Sequence, residues 1–453
     1  MAIESDERFI VIVGLGGTGL SCARYFSGLG EKFKIIDSRE NPPGLLELKQ
    51  SMPEVECELG KFSPQTLLRA RQIVVSPGVS IKTREIADAI AAGVPVTGDI
   101  DIFSKQVDRP IIAVTGSNGK STVVAILVEI LKKSGIKFGL GGNLDGENFK
   151  PALDLLAEEK KDLYVLELSS FQLETTENLG AEVVSILNLS EDHMDRYDNL
   201  EDYLRAKQRI FRGCKQVVIN RDEQYSYPDA EREIPVWDFG FGRPGINGFG
   251  LLEENGDQYL AYQYEKIVSV SELKVIGQHN ISNVLAAIAL AMAVDVELDS
   301  IKKAITEFTG LPHRCQWVAD VSGIEFYNDS KGTNVGATVA AVEGLGQRIS
   351  GHIILIAGGV GKGADFSSLV PVINKWGKEV VLIGQDATEM AASFSPDIKT
   401  HFANDMQDAV KLAMEHAAVG DAVLLSPACA SFDMFDNFQH RGQSFIRCVE
   451  TLQ

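Results

Sequence analysis

Short apolar runs alternate with amphipathic stretches of helical length along the whole chain. Phe9–Val13, Lys34–Asp37 and Ile73–Val75 read as buried strands, Arg84–Ala92 as a helix and Val94–Val96 as a further strand. Val107–Pro110 then reads as a linker. A second series opens with the strand Ile111–Val114, a polar glycine-bearing loop and a helix over Val123–Lys133. Leu140–Asn143 follows another strand and turn. Tyr164–Leu168 and Val183–Asn188 read as strands, and Tyr203–Phe211 and Ile281–Val294 as helices. Residues 217 to 275 mix short β-like runs with Gly and Pro turns, which predicts a small antiparallel insertion. Gly310–Arg314 breaks the pattern. Ile353–Ala357, Val380–Ile383 and Ala422–Leu425 are strands of a last series with helices between them. Strand–helix alternation of this kind predicts an α/β fold of doubly wound sheets. Three domains are expected, over 1–105, 106–310 and 311–453: a Rossmann-like N-terminal domain, a central mononucleotide-binding domain with the β insertion, and a Rossmann-like C-terminal domain.

Two glycine loops carry the first chemical signals. In the central series, Thr115-Gly116-Ser117-Asn118-Gly119-Lys120-Ser121-Thr122 lies between strand and helix. Backbone N–H groups and a helix N-terminus there form an anion cradle for a triphosphate. Lys120 would neutralise the outer phosphates, and Ser121 or Thr122 would hold Mg²⁺. Val114 replaces the first glycine of the longer P-loop pattern, so this is the shorter form. Near the N-terminus, Gly14-Leu15-Gly16-Gly17-Thr18-Gly19 follows a strand, and Asp37 closes the next one. Alone, that fingerprint points to a dinucleotide fold and a dehydrogenase, although the same geometry serves any diphosphate-bearing ligand.

Three further side chains are candidates. Glu167 ends a buried strand, where ligands of open α/β sheets sit, and reads equally as a metal ligand or a salt-bridged carboxylate. His193 lies among acids just past a strand end. Lys207 on a helix reads as a solvated lysine from the residues alone.

Composition narrows the class. The 453 residues are 45% hydrophobic and 23% charged, as expected of a packed soluble globule. A net charge of −20 argues against nucleic-acid binding, which needs a basic face, but not against a local nucleotide pocket. The six scattered cysteines form no CxxC pair and read as free thiols of a reducing, cytoplasmic compartment. Met1–Arg8 lacks the form of a signal peptide, and no apolar run approaches a membrane span. No heptad or large apolar face stands out, so a monomer is expected.

Taken together and in order, Gly14–Gly19, Ser76-Pro77-Gly78, Thr115–Thr122, Leu166–Glu174, Glu191–Tyr197, Gly310–Arg314, Asn328–Asn334, Gly358–Phe366 and Ser426–Ser431 resemble the Mur ligases, the ATP-dependent amide-forming enzymes of peptidoglycan synthesis. The likeness runs the length of the chain and is closest to the members that join D-glutamate to UDP-N-acetylmuramoyl-L-alanine. It implies an acyl-phosphate intermediate, with ADP and phosphate as products. It also implies roles. Gly14–Gly19, Asp37, Ser38, Arg39, Ser76 and Asn143 would meet the UDP substrate. Gly116–Thr122, Asn283, Arg314 and Asp329 would hold ATP. Ser121, Glu167, His193 and a carbamylated Lys207 would hold Mg²⁺, as two ions. Lys331, Thr333, Lys362, Ser431 and Phe438 would form the D-glutamate site. The pattern departs at Leu144-Asp145-Gly146, just after Asn143. Three other functions stay open at this stage: the dehydrogenase, a sister ligase or folylpolyglutamate synthase, and a non-enzymatic ATP-binding scaffold.

Overall fold

The computed structural model describes residues 9–144, 150–228, 234–275 and 277–452, so Met1–Arg8 and Asp145-Gly146 lie outside the described residues. Three sheets are formed. The first has five parallel strands in the order Cys57–Leu59, Phe33–Asp37, Ile10–Val13, Gln72–Val75, Val96–Thr97. Its central strand is apolar at every position, because helices cover both faces.

The central sheet has nine strands. From one edge they run Phe138–Gly142, Leu163–Glu167, Ile111–Thr115, Val183–Ile186, Gln216–Asn220, Val236–Phe239, Gly248–Glu254, Asp257–Tyr262 and Glu265–Ser269. The expectation over residues 217 to 275 is met only in part. The last three strands pair antiparallel with one another, but Gln216–Asn220, Val236–Phe239 and Gly248 onward continue the parallel sheet. The segment therefore extends the sheet and is not a separate insertion. Leu140–Gly142, expected after a strand, lie within it.

The third sheet runs Gln316–Val321, Ile324–Asn328, Ala422–Leu425, Ile353–Gly358, Gly377–Ile383, Lys399–Phe402, with only the first pair antiparallel. The expected α/β architecture is borne out.

The cores differ in how they join. One apolar cluster runs through Leu15, Leu20 and Phe26 of the first unit, Ile100 and Phe103, and on to Ala152, Leu153 and Tyr164 of the central one. Ser21 and Arg24 add polar contacts to Asp154 along that seam. The third unit has its own clusters on the two faces of its sheet. It reaches the phosphate loop and the His193 segment through polar contacts: Asn334 Nδ2 donates to Asn118 Oδ1 at 3.0 Å, and Lys362 Nζ lies 3.4 Å from Asp192 Oδ1.

Candidate active site

In the central sheet, strand Ile111–Thr115 lies between Val183–Ile186 and Leu163–Glu167, the point where strand order reverses. The crevice beyond such a switch point is where ligands of open parallel sheets bind. The phosphate loop leaves that strand, and helix Lys120–Lys133 follows it. Gly119 takes φ +83°, and a Cβ on it would lie 2.4 Å from Asn283 Oδ1, so the loop and Asn283 meet only because a glycine stands there. The loop is tied down from behind. Asn118 N donates to Asn188 Oδ1 (2.8 Å), Asn188 Nδ2 returns a bond to Asn118 O (3.0 Å), and Ser117 Oγ donates to Ser190 O (2.9 Å). Lys120 Nζ folds over the loop, donating to Gly116 O (2.9 Å) and Ser117 O (3.1 Å). An incoming phosphate would compete for that ammonium.

Glu167 ends its strand beside Val114 and Gly142 and is buried. Gly142, at φ +98°, makes room for it: a Cβ there would lie 2.2 Å from the Glu167 carbonyl oxygen. His193 takes a left-handed backbone (φ +58°), and its ring packs 4.8 Å from Phe171. Burial, reinforced by Lys362, Lys120 and Lys207, holds the imidazole down at about 4 despite the Asp192 carboxylate. It is neutral at pH 7, the form that ligates a metal.

Lys207 departs most from its solvated reading. It is 1% exposed, donates to Gly116 O (2.9 Å), and lies 4.5 Å over the Tyr203 ring. Burial, then the Lys120 charge, push its ammonium well below the usual lysine range, while Asp192 and Glu167 pull the other way. That mutual influence brings Lys120, Glu167, His193 and Lys207 into one electrostatic neighbourhood.

A cleft of about 290 Å³ opens between this loop and the third unit, lined by Gly119, Thr122, His279, Asn283, Arg314 and Asp329. Burial pushes Asp329 up to about 6, although Ser426 Oγ donates to it at 2.7 Å and Arg314 attracts it. A second cavity of about 720 Å³ shares Arg314 and adds Ser121, Leu144, Lys331 and Phe438. Lys331 Nζ lies 4.1 Å over the Phe438 ring, and Ser330 Oγ donates to the Phe438 carbonyl at 2.8 Å. Thr333 is half-buried nearby in sequence, Ser431 is buried, and Lys362 faces Asp192 beside His193.

In the first unit, Gly14 (φ +94°) and Gly19 approach so closely that a Cβ on Gly19 would lie 2.0 Å from Gly14 O. Ser76 Oγ donates to the same carbonyl at 3.1 Å. Asp37 is committed to the loop: it accepts from Leu15 N (2.7 Å) and takes a two-pronged grip from Arg39 Nε and Nη2 (2.9 and 2.7 Å). Burial opposes its charge, but those bonds hold its carboxyl below the usual range. Gly16, Gly17, Thr18, Ser38, Arg39 and Asn143 keep accessible surface for a ligand.

Several residues were not singled out by sequence reasoning. Asp192 bridges His193 and Lys362 across two units. Arg196 donates to Pro77 O (3.0 Å) and Val79 O (3.2 Å), pairs with Glu174 at 2.6 Å and stacks on Phe171. It therefore ties the Ser76 loop to the His193 segment. Arg441, 1% exposed, holds Ser330 through its side chain. Charged residues beside a candidate ligand, as in Asp192-His193 and Arg196, were the available signal; nothing local marks Arg441.

Family models match in three stretches: the Mur ligase MurD-like N-terminal domain over residues 8–98, the Mur ligase middle domain over 114–291, and the Mur ligase glutamate ligase domain over 313–429. Curated relatives include UDP-N-acetylmuramoylalanine–D-glutamate ligases of Pseudomonas syringae pv. tomato, 48% identical, and of Pseudomonas aeruginosa, 47% identical, each match covering 100% of both chains. Among solved structures, a UDP-N-acetylmuramate–alanine ligase of Thermotoga maritima superposes with a TM-score of 0.61 at 18% identity, covering 98% of this chain and 100% of the other. On its fold and on identity sustained from end to end, this chain belongs to the Mur ligase family.

Proposed function

We propose that the chain is an ATP-dependent ligase that adds D-glutamate to UDP-N-acetylmuramoyl-L-alanine in peptidoglycan synthesis, through an acyl phosphate, releasing ADP and phosphate. The observation that supports this reading is the shared electrostatic neighbourhood of Lys120, Glu167, His193 and Lys207 at the phosphate loop, with Lys362 of the third unit at Asp192 and a cleft lined by Gly119, Arg314 and Asp329 beside it. In this reading residues 1–105 bind the UDP portion through Gly14–Gly19, Ser38, Arg39 and Ser76, with Asn143 assisting. Residues 106–310 bind ATP, and 311–453 the incoming amino acid. A cytoplasmic monomer is part of the same reading. Among the described residues no helix is long and apolar enough to cross a membrane.

A buried carboxylate, a neutral imidazole and the Ser121 hydroxyl suit a hard divalent ion better than a cationic ligand. Two Mg²⁺ ions would be held by Ser121, Glu167, His193 and carbamylated Lys207, and such ions neutralise phosphoryl oxygens. The depressed Lys207 supplies the neutral amine that CO₂ needs: an N–C bond forms as one C–O π bond of CO₂ opens, one proton leaves to solvent, and a neutral amine becomes an anionic carbamate. The substrate carboxylate then attacks the γ-phosphorus of ATP, and ADP leaves. A carboxylate oxygen is a poor leaving group until it carries phosphate. Lys120 and the loop N–H groups offset the charge that gathers as two anions meet. The D-glutamate amine attacks the acyl carbon and phosphate departs. Lys331, Thr333, Lys362, Ser431 and Phe438 orient that amine. Arg314 faces the phosphates and Asp329 the ribose, with Asn283 beside Gly119.

Phosphate release is measured with UDP-N-acetylmuramoyl-L-alanine against a panel of amino acids that includes both glutamate enantiomers. Release with D-glutamate alone is expected. Release with another amino acid and none with D-glutamate overturns the substrate assignment, and nicotinamide-dependent turnover without ADP overturns the reaction class.

A further inference from the structure

Away from the crevice, the third unit gathers three side chains at one point. Glu379 lies on strand Gly377–Ile383, His401 on the neighbouring edge strand Lys399–Phe402, and His416 ends helix Met406–His416. The parallel register pairs Glu379 with Lys399 and Val381 with His401, so Glu379 and His401 project from the same face. The helix packs on that face through Ala409, Val410 and Ala413 against Val381, which brings its last residue over Glu379. His401 Nε2 lies 2.5 Å and His416 Nδ1 2.9 Å from the same oxygen, Glu379 Oε2. The imidazole rings stack with centroids 4.0 Å apart.

This arrangement is unusual for a set of ordinary surface hydrogen bonds. Glu379 is buried, with a side chain 9% exposed, and two imidazoles from separate elements share one of its oxygens. Each contact needs a proton on the facing nitrogen, and stacked rings cannot both become imidazolium without repulsion. One divalent ion could replace both bridging protons, with each ring carrying its proton on the far nitrogen. The donor atoms all lie within 4.8 Å of one another, so small side-chain rotations close them around an ion. The helix C-terminus adds partial negative charge at His416. Burial works against ionisation of Glu379, yet the His401 hydrogen bond and the charges of His416, His401 and Lys399 hold its carboxyl below the usual range. Lys399 Nζ, 3.6 Å from the other oxygen, belongs to an exposed side chain that can turn away.

We propose that Glu379, His401 and His416 form a second metal site, specific to a divalent transition ion such as Zn²⁺ or Co²⁺, that staples the edge strand to the end of its helix. Two imidazoles and a carboxylate are the ligand set such ions prefer, whereas Mg²⁺ favours all-oxygen surroundings. Three protein ligands leave a position to water. Two of the donors sit on paired strands and the third on a helix packed against them, so the site is pre-shaped. It lies outside the ATP crevice and concerns stability, not turnover.

The test uses the full chain, stripped of metal and then held in excess Mg²⁺ to occupy hard-ion sites. Co²⁺ is titrated while visible absorption is followed, and Zn²⁺ while thermal unfolding is followed. One equivalent of Co²⁺ with d–d bands is expected, together with a Zn²⁺-dependent rise in Tm. In His401→Gln/His416→Gln the affinity is expected to fall at least about 100-fold, beyond what loss of an outer partner alone costs, with the Tm rise gone. Phosphate release with Mg²⁺-ATP is expected to stay as in the parent. His416→Gln alone, at a half-exposed helix end, serves if the double variant folds poorly. Equal Co²⁺ uptake and an equal Tm rise in parent and variant overturn the site, as does the absence of any tight equivalent in the parent.

Discussion

Lys207 shows at the scale of a single residue how far burial can reverse a reading. On a helix it has the look of a solvated lysine, and only packing against Tyr203 and the Gly116 carbonyl makes it a buried, weakly basic amine. Lys207→Ala is expected to lower turnover at least about 100-fold, the scale on which a positioned charge at the reacting centre is felt. Short carboxylic acids should restore part of it, and full activity without them would remove the carbamate from the account. Histidines give a pH test. Burial holds both His193 and His279 at about 4, with Arg314 adding to the effect at His279. Their folded values lie below the unfolded 6.5, so the unfolded chain binds more protons between pH 6.5 and 4. The stability that neutral histidine contributes is whole above pH 6.5 and is lost as pH falls towards 4. Melting curves from pH 7.5 to 4.5 should therefore slope down, and His279→Gln should make that slope shallower by about 3 °C over the range. An identical slope would count against a desolvated, neutral His279 at the cleft wall. The motif residues around the phosphates were legible because spacing alone places them on a loop. The roles of Asp192 and Arg196 were not, since Lys362 and the Pro77–Val79 carbonyls lie far off in sequence, and no local pattern marks Arg441 at all.

Among elements, strand–loop–helix units were the most legible, and their chemistry sits at strand ends in all three sheets. Gly119 makes the central one testable. Gly119→Ala puts a methyl on a φ +83° residue against Asn283, so ATP affinity should fall at least about 10-fold, roughly one unpaired buried polar contact. Equilibrium dialysis with ATP would read it, and unchanged binding would mean the loop tolerates the shift. The extended central sheet was harder to see. Hairpin strands with Gly and Pro turns look self-contained in sequence, whereas the parallel pairing of Gln216–Asn220 with Val183–Ile186 depends on register across a long separation. Arg196 joins two elements of different units and can be probed the same way. Its loss leaves Glu174 half-buried without its cation and frees the Pro77–Val79 carbonyls. Arg196→Ala should raise KM for the UDP substrate about 10-fold with a smaller change in kcat, the pattern of lost ground-state binding. A fall in kcat with KM unchanged would place its effect on the chemistry.

At the scale of the whole molecule the two junctions differ in kind. A continuous apolar cluster, from Leu20 and Phe103 to Leu153 and Tyr164, fastens the first unit to the central one. Asn334–Asn118 and Lys362–Asp192 join the third unit to the loop and the His193 segment by polar contacts, which water can replace at little cost. Opening the first junction would expose a continuous apolar cluster, and opening the second would exchange those hydrogen bonds and part Gly344 of helix Val335–Gly346 from Gly277 and His279. The third unit is therefore the one expected to swing, closing over ATP so that Lys362 and the amine meet the acyl phosphate away from water. Asn334 is well placed to hold the closed form, because its Oδ1 caps helix Val335–Gly346 while its Nδ2 reaches Asn118. Asn334→Ala should keep affinity for the UDP substrate, raise KM for D-glutamate about 5–10-fold for one lost hydrogen bond, and shift the ensemble towards open. Small-angle scattering reads the same balance directly: the radius of gyration of the parent should shrink when nucleotide and both substrates are added, and that of Asn334→Ala should shrink less. Were the parent profile to stay fixed through those additions, the third unit would be rigidly docked, and catalysis would have to proceed in the geometry of the free enzyme.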